Sequence, residues 1–159
     1  MAADTTKSLD GIGSGTLPEQ GIDSESATDI DLGIDLGTTR TVVARADRGN
    51  YPVISFTDEH GDEHDFIPSL TALHEGALVH GFAARQAAYQ GAPLLRSLKR
   101  VLASPTLTAA TPVRLGDQTF SVLEVLTSFL RHLESELAER GIDIARARVV
   151  VAVPAHAYG

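Results

Sequence analysis

Cysteine and tryptophan are absent from this 159-residue chain. Without thiols there is no disulfide framework and no thiolate metal site, so a metal would have to be held by oxygen or imidazole ligands. Long apolar runs are missing too. No stretch approaches the roughly 20 residues that cross a bilayer, and residues 1–20 lack the apolar core of a secretory leader. No membrane partner is expected, and a cytoplasmic location is. Basic residues are few, 13 Lys and Arg against 21 Asp and Glu. Arg146 and Arg148 are too small a patch for a phosphate backbone, so nucleic acid is not an expected partner.

The charge that is present is unevenly spread. Residues 1–31 hold seven acids against one base, Lys7, a balance of −6 within the formal net charge of −8. The remainder is close to neutral. This opening is rich in Gly, Ser and Thr and poor in large apolar side chains, too little to offset the entropy of ordering it. Residues 1–31 are therefore expected to form a disordered acidic tail, and residues 32–159 one folded unit. Gly11, Gly13 and Gly15 in the tail imitate a dinucleotide-binding loop but lack the strand before and the helix after that such a loop needs.

From residue 32 the pattern becomes that of an α/β domain. Residues 32–36 and 41–46 read as two strands across a tight turn at Gly37, residues 51–56 as a third strand, and the acidic run 57–65 as a solvated hairpin tip. Residues 66–73 return as an extended segment around Pro68, and Leu78 and Val79 form a short strand. Helix is expected over 82–89 and again over 93–103, and a hairpin over 113–120 across Gly116 and Asp117. Ser121 and Glu124 form a capping-box pattern, followed by Val122, Val125, Leu126, Phe129, Leu133 and Leu137 on one helical face and a stop at Gly141. His132 falls on the polar flank of that helix and is expected to be solvated. The unbroken apolar run 149–153 predicts a strand buried on both faces.

The residues that carry chemistry lie at 33–41, Gly-Ile-Asp-Leu-Gly-Thr-Thr-Arg-Thr. An acid ends an apolar strand, and Gly37 then allows a turn tight enough for successive N–H groups to face one anion. Thr38 and Thr39 add hydroxyl donors. Asp35 repels phosphate, and its natural role is to hold Mg²⁺ through water beside it. An ordinary hairpin turn uses the same residue types.

A resemblance carried by this and further segments favours phosphate. Gly-Ile-Asp-Leu-Gly-Thr-Thr resembles the first phosphate motif of the heat-shock protein 70 (DnaK-type) chaperones. Further matches follow in order: Ile67-Pro68-Ser69-Leu70, residues 78–86 around Gly81, residues 97–102 around Lys99-Arg100, and Val151-Ala152-Val153-Pro154-Ala155. The resemblance implies the first part of an actin-like (ribonuclease H-like) ATPase domain, with a mixed five-stranded sheet and flanking helices, incomplete within this chain. It assigns Gly37, Thr38, Thr39 and Arg40 to the phosphate turn and Asp35 to the magnesium shell. Lys99 becomes the catalytic lysine that orients the attacking water. ATP or ADP with Mg is the implied cofactor set. The implied partners of complete relatives are unfolded peptides, J-domain co-chaperones and nucleotide exchange factors.

Departures from the family pattern accompany these matches. Arg40 stands where the family commonly has another residue, so a backbone contact is expected there. Residues 93–96 replace a polar segment before the lysine, and residues 156–159 depart from the family's continuation. No second Asp-x-Gly-x-Gly loop and no adenosine pocket is recognisable, so this chain alone is expected to hydrolyse little or no ATP. Two other readings compete: a piece of an actin-like sugar or metabolite kinase, which shares the Gly-Thr-Thr turn, and a non-catalytic interaction fragment. His60 and His64 in the acidic run are expected to belong to a charged hairpin tip rather than a metal site, and His156 to be a frayed end residue.

Overall fold

The computed structural model describes residues 30–152. The expectations for residues 1–29, for the Val-Pro-Ala end of the last strand and for His156 fall outside that range. Within it, β1 (Ile30–Leu36) and β2 (Arg40–Arg45) are the first two strands, followed by the short β3 (Phe56–Thr57), β4 (Glu63–His64) and β5 (Ile67–Pro68). Next come β6 (Thr71–His74), β7 (Ala77–His80), helix α1 (Gly81–Tyr89), β8 (Leu94–Leu95) and helix α2 (Leu98–Leu102). The chain then forms β9 (Pro112–Leu115), β10 (Gln118–Ser121), the long helix α3 (Val122–Glu139), a 3-10 turn (Ile144–Arg146) and β11 (Ala147–Ala152). β1 takes in Ile30 and Asp31, which the sequence reading had assigned to the tail.

The main sheet is mixed, with strand order β11-β1-β2-β5. β1 lies at its centre, antiparallel to β2 and parallel to β11, with Ile30 opposite Ala147 and Asp35 opposite Ala152. Alternation along β1 sends Leu32 and Ile34 into the core and leaves Gly33 and Asp35 on the other face. Among the described residues the sheet has four strands rather than the expected five. Residues 51–56 run beside β2 through a single bridge, Val53 to Ala44, and bonds from Ile54 N–H to Val43 and from Arg45 N–H to Pro52, and then leave it. Pro52 has no N–H to continue a ladder.

The outermost strand also differs from expectation. Val150 is 67% exposed and Val151 41% exposed, so β11 is an apolar edge among the described residues, not a strand buried on both faces. The helix expected over 93–103 is shorter as well. Leu94 and Leu95 pair with Ala72 and Thr71 of β6, and the Leu73 N–H bonds to the Pro93 carbonyl. Helix α2 starts only after Ser97, whose hydroxyl accepts from the Arg100 N–H at 3.3 Å.

Helix α3 joins the packing units. Its start carries the capping box: Glu124 N–H donates to Ser121 Oγ at 3.1 Å and Ser121 N–H to Glu124 Oε2 at 2.6 Å. It ends at Gly141, with φ of 74°, where Gly141 N–H bonds to Ala138 and Ile142 N–H to Leu137. That pair of bonds closes the helix and turns the buried Ile142 back onto Leu137. The first half of α3 puts Val122, Val125 and Phe129 against Leu98 of α2 and Val113 of β9, while Leu133 and Leu137 pack on Leu32, Ile34 and Val43 of the sheet. One rigid element therefore sets where α2 stands relative to the end of β1.

Candidate functional site

The residues singled out at 35–40 occupy the turn between β1 and β2. Asp35 ends the strand with a side chain that is 62% exposed, and Thr38 and Thr39 are exposed beside it. The turn is tight at Gly37. Its N–H bonds back to the Asp35 carbonyl at 3.1 Å, and a Cβ added there would lie 2.3 Å from the Arg40 carbonyl oxygen. Only glycine fits so close an approach of backbone to backbone.

Lys99 reaches this turn from α2. Its Nζ lies 3.7 Å from Asp35 Oδ1, so two residues distant in sequence meet at one end of the sheet. The contact follows from packing: Leu98 is buried against α3, and the next residue in the short helix points to the strand end. Leu36, Gly37, Thr41, Ser69, Leu98, Lys99 and Phe129 surround a small hollow under the turn.

Arg40 is directed elsewhere. Its guanidinium sits 4.4 Å from the centroid of the Phe66 ring, a cation–π contact, so its backbone rather than its charge faces the turn. Behind it, two bonds tie the turn to the Pro68-Ser69 segment. Ser69 N–H donates to the Thr39 carbonyl at 3.0 Å, and the hydroxyls of Thr41 and Ser69, both buried, lie 2.9 Å apart. Sequence reasoning missed this link; the order Pro-Ser after an extended segment was the available signal.

Two further polar clusters escaped the sequence reading. His80, 5% exposed, has Nδ1 3.0 Å from Thr71 Oγ1 and Nε2 2.7 Å from Ser128 Oγ, and stands edge-on to Phe129. His132, expected to be solvated, is turned inward with its ring 5.8 Å from that of His80. Burial, and then the neighbouring His132, hold the His80 imidazole down to about pKa 4, and burial lowers His132 as well. The acidic run is likewise more than a solvated tip. Asp58 is nearly enclosed, bonding His64 at 3.0 Å, Arg85 of α1 at 3.0 Å and the N–H groups of His60 and Asp62. The His64 bond, with these others, holds the Asp58 carboxyl far below the usual range.

A metal can be weighed against these groups. Among the described residues no three His, Cys, Asp or Glu side chains converge as a ligand cage. A single exposed carboxylate with hydroxyls beside it fits Mg²⁺, which keeps most of its water and arrives with phosphates. No helix among the described residues is long and apolar enough to cross a membrane.

No protein-family model matches the chain. The DnaK chaperone of Mycoplasmopsis agalactiae is 27% identical over 130 residues, that of Mycoplasmopsis pulmonis 28%, and that of Mesomycoplasma hyopneumoniae strain J 29%. Each match covers 82% of this chain and 20% of the relative. The chain spans about a fifth of the length of these curated relatives, and over most of its own length it is similar to that fifth of a DnaK-type chaperone.

Proposed function

We propose that the chain is the phosphate-binding part of an actin-like ATPase domain of the heat-shock protein 70 type. The observation that carries this reading is the meeting of Lys99 with Asp35 at the Gly37–Thr39 turn, at 3.7 Å. An acid for a hydrated cation, a lysine for developing phosphate charge and a tight Gly-Thr-Thr backbone are the parts that phosphoryl transfer uses. The similarity to DnaK chaperones supports the same reading.

In this reading the N–H groups and hydroxyls of Gly37, Thr38 and Thr39, with the Arg40 backbone, cradle the phosphates. Asp35 fixes the water shell of Mg²⁺, which when bound neutralises phosphate charge. Lys99 orients the attacking water. The described residues offer one face to a nucleotide, whereas ligand sites enclose about 70–90% of what they hold. Weak binding and no measurable turnover follow for the chain by itself. ATP-driven handling of unfolded peptides, with J-domain co-chaperones and exchange factors, is proposed for the complete protein of this type.

The test is titration of the ¹⁵N-labelled chain with ATP and Mg²⁺, followed by amide chemical shifts. Responses concentrated at residues 37–40 and 99, reduced in Asp35→Asn and Lys99→Ala, are the expected result. Silence at those amides at the highest soluble ATP concentration, or a response centred elsewhere, removes the reading.

A further inference from the structure

The geometry points to Ser69 and Thr41 as positioning residues that clip the phosphate turn into shape. Its bearing on nucleotide binding rests on the function proposed above; the mechanical claim does not.

The argument begins with what the turn lacks. Residues 37–39 lie between two strands, and Thr38 and Thr39 are exposed, so their own side chains do not anchor them in the core. A loop so placed has many accessible shapes, and a phosphate cradle needs one. Two bonds from outside the loop limit that freedom. The Ser69 N–H holds the Thr39 carbonyl at 3.0 Å, at the far side of the turn from Asp35. The Ser69 hydroxyl meets the Thr41 hydroxyl at 2.9 Å, with Thr41 fully buried and Ser69 7% exposed.

Burial gives the hydroxyl pair its leverage. A buried hydroxyl without a partner loses its solvation and gets no bond in return, so each member has reason to stay on the other. The backbone around them is matched to this: β2 and β5 are antiparallel with Arg40 opposite Pro68 and Thr41 opposite Ile67, which brings Ser69, the residue after Pro68, beside Thr39, the residue before Arg40. Pro68 has a fixed φ and donates no N–H, so Ser69 is the first residue on β5's side able to donate to the turn. Thr41 and Ser69 also line the small hollow beneath Gly37 and Lys99, so the clip and the lysine bear on the same loop from below.

The experiment compares Thr41→Val, which keeps the shape and removes the hydroxyl, with Ser69→Ala and with Thr41→Ser, which restores the hydroxyl. Backbone ¹⁵N relaxation and amide exchange are recorded for each without nucleotide, then with ATP and Mg²⁺. Removing either hydroxyl is expected to raise fast motion at residues 37–39 and speed their exchange about tenfold, the effect of losing roughly 1.4 kcal/mol of restraint. Amides of α3 should stay unchanged, and Thr41→Ser should behave as the parent does.

Unchanged relaxation at residues 37–39 in both hydroxyl-deleted variants overturns the clip. So does loosening spread evenly over the whole sheet, since that is loss of stability and not of positioning. If Thr41→Val does not fold, Ser69→Ala, which leaves the Thr41 methyl in place, decides alone. A turn that loosens as expected while the parent chain ignores ATP leaves the clip standing and removes the nucleotide reading.

Discussion

Lys99 Nζ stands 3.7 Å from Asp35 Oδ1, yet the Asp35 side chain is 62% exposed and the lysine is a quarter exposed. Ion pairs this open to water contribute about 0–1 kcal/mol. The pair is thus a poor fastening for the fold. Lys99→Ala is expected to move the urea midpoint by no more than about 0.5 kcal/mol equivalent while weakening the amide response to ATP with Mg²⁺. A loss of several kcal/mol would make the lysine structural.

Gly37→Ala tests the turn itself. The new Cβ would sit 2.3 Å from the Arg40 carbonyl, so the hairpin must open or shift. Destabilisation of about 1–3 kcal/mol is expected by chemical denaturation, with the largest shift changes at residues 36–41. An unchanged midpoint would mean that the backbone approach is looser than described.

The His80 imidazole gives the chain an acid limit. Its folded pKa is lowered to about 4 from an ordinary 6.5 by burial and then by His132. The unfolded chain therefore binds more protons between these values. Stability contributed by the neutral ring is fully present above pH 6.5 and is lost as pH falls toward 4. His132, also lowered by burial, works in the same direction, with Glu136 and Glu139 partly opposing it. Melting temperatures measured from pH 7.5 to 4.5 should fall, and His80→Gln should flatten that slope. An equal slope in the variant would assign the acid sensitivity to other groups.

Phe129 probes the joint between α2 and α3. It is 2% exposed, stands edge-on to His80 and packs with Leu98. Phe129→Ala should cost about 3–5 kcal/mol and also release Lys99, read as faster exchange at residues 98–102. A variant that loses stability but leaves α2 amides protected would show that α2 is held by other contacts.

Among the described residues β11 is an edge strand, and it exposes Val150 and Val151. Such edges recruit other strands. Val150→Lys is expected to leave the unfolding midpoint nearly unchanged and to reduce light scattering on concentration; scattering that persists would place the adhesive surface elsewhere.

The parts of this architecture legible in the residues are those governed by local chemistry. The capping box at Ser121, the close at Gly141 and the apolar face through Leu137 need only neighbours in sequence, and the helix formed as expected. The sharp turn at Gly37 was legible for the same reason. What could not be read depends on partners far along the chain. Leu94 and Leu95 look helical until β6 offers them a strand edge. His132 looks solvated on a helical wheel, and only the arrival of β7 turns it into a half-buried neighbour of His80. The apolar run at 149–152 carries no mark of whether one or two strands will flank it, and β1 is its partner on one side. At the site, Asp35 and the Gly-Thr-Thr turn stand out alone, whereas Lys99 is singled out only by the resemblance around residues 97–102, and its approach to Asp35 depends on α3 bringing α2 to β1.

The parallel pairing of β1 with β11 also has a meaning in time. During synthesis β1 can meet β2 at once, but among the described residues its other partner, β11, emerges only with residues 147–152. For most of that interval the strand that ends in Asp35 is a half-made sheet with one open side, exposed to the strand exchange that slow, long-range pairing invites.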